Sequence, residues 1–106
     1  ATAAVMAQGY IEEEEYWHNH VVEADRPALV AFWSVTDQES MDVVSELESM
    51  QLEDKGYKFL KIDTYKNRLI SGRYDIEEIP TVLKLKDGKV ASKLVKPEKE
   101  EIEAIL

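Results

Sequence analysis

The sequence predicts a single α/β domain with a mixed central β-sheet flanked by helices. Three observations carry this. Ala28-Leu29-Val30-Ala31-Phe32-Trp33 is a short, nearly all-apolar run, as expected of a strand covered on both faces by helices. Segments of helical spacing alternate with this run and with two more, Tyr57 to Ile62 and Val82 to Lys86. Asp87-Gly88 then joins the third run to a return strand, Val90 to Val95, as a tight hairpin.

Taken in order, the elements read β-α-β-α-β-α-β-β-α. Val5 and Tyr10 flank a short edge strand in an N-terminal extension, residues 1–9, ahead of the domain at 10–106. Glu12 to Glu15 open the first helix, where four acids suit the positive end of the helix dipole. Trp17, Val21 and Ala24 share one face of it, and Asp25-Arg26-Pro27 stops it. After the first long strand, Thr36-Asp37-Gln38-Glu39 fits a capping box with Thr36 at the N-cap. Val43, Leu47 and Met50, with Val44 beside them, mark the buried face of the helix that follows. Lys55-Gly56 closes that helix. Arg68 to Tyr74 is a short helix around Leu69 and Ile70. Pro97 starts the last helix, with Ile102, Ile105 and Leu106 in the core.

Composition narrows the function. The chain has 106 residues and a hydrophobic fraction of 44%, enough for one compact core. Its 22 acidic and 13 basic residues give a net charge of −9. Such a surface repels phosphate backbones and anionic lipid, so nucleic-acid and membrane-surface partners are disfavoured. There is no cysteine, hence no disulfide, no thiolate nucleophile and no zinc-thiolate site. No apolar run approaches membrane-spanning length, so membrane insertion is not expected. Ala1 to Ala7 lacks the basic and long apolar regions of a signal peptide and reads as the remnant of a cleaved targeting segment or as a chain end.

The spacing from Trp17 to Trp33, the Ile79-Pro80-Thr81 step, Tyr74-Asp75-Ile76 just upstream and Lys86-Asp87-Gly88-Lys89 occur in one order. Together they resemble the thioredoxin family over about residues 10 to 106. The resemblance implies a thioredoxin-like fold and a cis Pro80. It also implies a redox motif after Phe32-Trp33, reading Ala-x-Trp-Cys-Gly-Pro-Cys in active members. Here Thr36 stands for the Trp, Asp37 for the attacking Cys, Gln38-Glu39 for the central pair and Ser40 for the resolving Cys. Dithiol exchange needs two sulfurs, one of them an activated thiolate, and neither is present. The family's buried Asp in the preceding strand corresponds to Ala31, and its Lys partner to Phe59 or Ile62. A mere exchange of the cysteines leaves that proton-handling pair intact, so the loss reads as native. The glycine that lets a substrate backbone lie close corresponds to Val95 or Lys96.

Other constellations are weak. Asp37 and Ser40 are no activated pair, because no His lies nearby to take the proton. His18 and His20, two apart on a helix, point to different faces. No segment has the alternating oxygen ligands and turn glycine of a dedicated calcium loop. In the family's geometry Trp33, Met41, Ile79, Val82 and Val95 surround the former redox site, where an exposed apolar patch would bind a protein. Tyr16, Tyr65 and Tyr74 fit edge packing and contact equally. The expected role is protein interaction by a redox-inactive, soluble, intracellular domain, in the cytoplasm or an organelle such as a plastid. It would serve as a complex subunit, adaptor or holdase-like module without a cofactor. The alternatives are a non-thiol enzyme using Asp37 beside Pro80 and an acidic low-affinity calcium binder.

Overall fold

A computed structural model describes residues 17–22 and 24–106. The expected edge strand, the acidic run Glu12 to Glu15, Tyr16 and the boundary at residue 9 lie outside the described residues. Four strands form one sheet in the order β2-β1-β3-β4: β1 Ala28–Trp33, β2 Lys58–Asp63, β3 Thr81–Lys86 and β4 Lys89–Val95. β1 pairs parallel with β2, while β1 with β3 and β3 with β4 run antiparallel. The helices are α1 Gln38–Ser49, α2 Arg68–Arg73 and α3 Lys99–Ile105.

β1 explains its own composition. Ala28, Val30 and Phe32 point into one core with Trp17, Val21, Leu60, Ile62, Ile70, Leu83 and Leu85. Leu29 and Ala31 point into the other, with Val43, Val44, Leu47, Met50, Val82 and Ile102. Both faces of the strand are covered, so neither carries polar residues. α1 and α3 cover the second face; α2 and the π-helical turn His18–Val22 cover the first.

The hairpin tip has Asp87 and Gly88 both at positive φ, 53° and 74°, the geometry of a primed turn. A Cβ on Gly88 would stand 2.9 Å from Val22 Cγ1, so the tip needs glycine for space as well as for torsion. β4 lies at the end of the sheet, presents Lys89 and Lys93, and departs from regular register opposite Lys84 and Leu85.

Several element ends differ from expectation. Ala24 lies outside the helical turn His18–Val22. α1 ends at Ser49 because Gln51 turns left-handed, and a 3-10 turn, Leu52–Lys55, leads to Gly56. α3 starts after Pro97: Glu98 is extended, and its N–H donates to Glu101 Oε1 at 3.0 Å. Val82 is fully buried in the second core, so it joins no surface patch. Leu69 is 79% exposed while its neighbour Ile70 is buried, so only one of the two anchors α2.

Candidate functional site

The segment from Ser34 to Ser40 links β1 to α1 and is wired to itself. Asp37 is the N-cap of α1, and its Oδ2 accepts the Ser40 N–H at 2.9 Å. Thr36 does not hold that place. Its hydroxyl lies 2.8 Å from Ser34 Oγ, and its N–H donates to the same oxygen at 3.2 Å. The carboxylate thus displaces the hydroxyl as the cap, and Glu39 is left to favour the positive helix end through its charge.

Ser40 is fully buried. Its hydroxyl donates toward Ser34 O at 2.9 Å and Asp37 O at 3.0 Å, and it accepts the Ser34 N–H at 3.1 Å. Both its proton and a lone pair are therefore engaged with backbone. No base is within reach to free this oxygen for attack among the groups that bind it.

The Ile79–Pro80 peptide is cis, and Pro80 O accepts the Lys96 N–H at 2.8 Å. Lys96 follows β4 directly and has φ of 49°, in the left-handed region that favours glycine. Of the two positions offered for the docking glycine, Lys96 is the one with glycine-like torsion. Its Nζ reaches Glu39 Oε1 at 3.8 Å, an ion pair spanning from the end of β4 to α1. Where the resemblance calls for a bare backbone, a long charged side chain stands instead.

The lost proton-handling pair is also placed. Ala31 and Phe59 share the second core, whereas Ile62 points into the first. Phe59 thus lies on the same face as Ala31, although its register partner is Leu29 and Ala31 pairs with Lys61, and both Phe59 and Ala31 are apolar. Trp33 is half-buried against the second core, with Lys61 Nζ 5.0 Å from its ring centroid. Lys61 also pairs with Glu48 at 3.7 Å. Ile79 packs against the opposite core, Met41 is half-buried, and Val95 is exposed. Of the four residues expected to form a binding patch, Trp33 and Ile79 therefore pack on opposite faces of the sheet.

Sequence reasoning did not single out exposed Val35, and it read Leu69, which is exposed, as a centre of its helix. Two of the three tyrosines left open are placed. Tyr74 packs on Trp17 at 5.6 Å between ring centroids and its hydroxyl accepts the indole N–H at 3.2 Å, while Tyr65 is exposed. Among the described residues, no three His, Asp or Glu side chains gather as metal ligands, and no helix is long and apolar enough to cross a membrane.

The comparisons agree with this geometry. The family model described as thioredoxin matches residues 9–106. Thioredoxin M4, chloroplastic, of Arabidopsis thaliana is 28% identical over 105 residues, covering 89% of this chain and 49% of its own length. Thioredoxin C-2 of Corynebacterium nephridii is 30% identical over 83 residues, 77% of each chain. The chain spans about half the length of the chloroplast M-type relatives that it matches. The crystal structure of Malassezia sympodialis thioredoxin superposes with a TM-score of 0.79 at 17% identity, covering 91% of this chain and 84% of that one. Sheet order, cis-proline loop and family match converge: this chain belongs to the thioredoxin family.

Proposed function

We propose that this domain is redox-inactive and serves protein interaction, as a complex subunit, adaptor or holdase-like module. The observation that carries the reading is the fate of the former redox segment. Its residues are committed to holding the segment shut. Ser40 is buried and bonded on both sides, Asp37 caps α1, and Lys96 lies beside Pro80 with its charge on Glu39. A chain that keeps the fold while its sulfurs, its proton-handling pair and its bare docking backbone are all replaced retains surface as its means of action. The chloroplast relatives support a plastid interior as the place of action.

The enzymatic alternative draws no support from Asp37, whose carboxylate is engaged by the Ser40 N–H. The calcium alternative draws none from the described acids, which are dispersed.

Two experiments test the reading. Cross-linking in the native source, then purification and mass spectrometry, is expected to recover one defined partner; recovery of the protein alone would remove the subunit role. Restoring both sulfurs as Asp37→Cys with Ser40→Cys is expected to leave disulfide reduction far below that of an active thioredoxin, because Ala31 and Phe59 cannot relay a proton. Full reductase activity in that variant would show that only the sulfurs had been lost.

A further inference from the structure

The charges of this chain are segregated, with basic stretches at residues 58–73 and 84–96 in an otherwise acidic sequence. Residues 58–73 hold five of its 13 basic residues, Lys58, Lys61, Lys66, Arg68 and Arg73, and one of its 22 acidic ones, Asp63. That single acid faces inward. Asp63 is buried, and its Oδ1 accepts the Tyr65 and Lys66 N–H groups at 2.9 and 3.1 Å. Lys58 lies at the other end of β2 and Lys61 pairs with Glu48, so the turn from β2 into α2 shows Lys66 and Arg68, in a stretch, residues 64–74, that holds no acid on a strongly acidic protein.

The same turn is apolar at its tip. Tyr65 is 62% exposed and Leu69 79%. Val35, 57% exposed, belongs to the neighbouring turn. The two turns leave the same end of adjacent parallel strands: Trp33 pairs with Asp63, and Trp33 O accepts the Thr64 N–H at 3.1 Å. Val35 and Tyr65 each lie two residues beyond that pair. Asn67 Nδ2 donates to Asp63 O at 2.9 Å and pins the start of α2, and so Leu69, to this end. In open α/β sheets the region beyond the carboxyl ends of the strands is where binding surfaces form.

We infer that this turn, with Val35, Tyr65 and Leu69 rimmed by Lys66 and Arg68, docks an acidic segment of a partner protein that carries aliphatic or aromatic side chains. The inference rests on the interaction reading above and names the face and the partner's chemistry. Charge complementarity selects the occupant. An acidic segment is drawn to Lys66 and Arg68 and meets the large exposed side chains of Tyr65 and Leu69 beside them, whereas the equally basic stretch at residues 84–96 offers only the smaller and less exposed Val90 and Val95. The apolar tip then gives the bound state its hold, with large exposed side chains as anchors.

The test is a titration of the ¹⁵N-labelled protein with the acetylated, amidated peptide Glu-Glu-Leu-Asp-Glu-Phe. Controls carry lysine for every acid, or glycine for the Leu and Phe. The acidic peptide is expected to shift amides at 34–36 and 63–73, and the two controls to leave them in place. Leu69→Ser and Arg68→Glu are each expected to weaken binding by about tenfold or more; Lys99→Glu, on α3, is expected to leave it unchanged. Unchanged melting temperatures establish that the first two variants are folded. Shifts centred on Pro80 and Lys96 would overturn the placement while leaving the interaction reading intact. Equal binding of the lysine peptide, or insensitivity to Leu69→Ser, would overturn the chemistry. Concentration-dependent shifts of the same amides without peptide would put a second copy there instead. Recovery of the protein alone in the cross-linking experiment bears on the interaction reading itself, so the two failures are distinct.

Discussion

After β1 the chain turns through Val35 and Thr36 into α1; after β2 it turns through Thr64 to Asn67 into α2. Both turns are tied by a carboxylate that accepts backbone N–H groups, Asp37 in the first and Asp63 in the second. They differ in what is left over. The first spends its polar side chains inward, with Ser34, Thr36, Asp37 and Ser40 all bonded within the segment. The second spends only Asp63 and Asn67 inward on its own backbone and leaves Tyr65 and Leu69 in solvent. One backbone device thus serves both a turn that bonds its polar side chains inward and a neighbouring turn that leaves large apolar side chains exposed.

The comparison can be broken most severely from beneath. Trp17→Ala removes a fully buried indole whose ring and N–H engage Tyr74 at the end of α2. A loss of about 3–5 kcal/mol in urea unfolding is expected. Amide exchange should rise first at Tyr74 to Ile76, while the turn at 34–40 keeps its protection until global unfolding.

Ser40→Ala and Asp63→Ala test the two ties directly. Ser40→Ala strips the partner from buried backbone groups of Ser34 and is expected to cost about 1–3 kcal/mol by chemical denaturation, and Asp63→Ala, which releases the part-buried N–H groups of Tyr65 and Lys66, about 1 kcal/mol or more. If one of them proves neutral, the two turns are not held alike.

A finer contrast lies within the first turn. Asp37→Ala is expected to cost about 0.5–2 kcal/mol, the usual value of a lost N-cap, and Thr36→Ala measurably less. The reverse ranking in thermal melts would return the cap to Thr36.

The smallest effects belong to the exposed tip. Tyr65→Ser and Leu69→Ser are expected to change stability by no more than about 0.5 kcal/mol each, because little is buried around them. A larger loss would mean that these side chains support the fold and are not spare surface.

Much of the architecture was readable from residues alone. β1 announced its two covered faces by having no polar residue, and α1 its buried stripe through Val43, Val44, Leu47 and Met50. Asp87-Gly88 announced the hairpin. What was not readable depended on choices made between segments. Thr36 and Asp37 are both good caps, and the tie is decided by Ser34, whose hydroxyl engages Thr36. Phe59 and Ile62 compete for one position until the strand places them on opposite faces. Leu69 and Ile70 sit in a helix too short for periodicity to separate an inner from an outer residue. The charge segregation was available in the sequence, but its meaning depended on seeing Asp63 turned inward.

β4 bears on how this domain can be gripped. A strand at the end of a sheet is ordinarily an invitation for another chain to lie alongside and extend the ladder. Here lysines at 89 and 93 and the broken register near Lys84 make that invitation poor. Lys93 even bends away to hold the carbonyls of Tyr74 and Asp75 at 3.2 and 3.0 Å. A partner that meets the domain along this edge is therefore obliged to recognise side chains in place of borrowed backbone, which makes recognition there selective, and copies of the domain held close together have little tendency to zip into a shared sheet through β4.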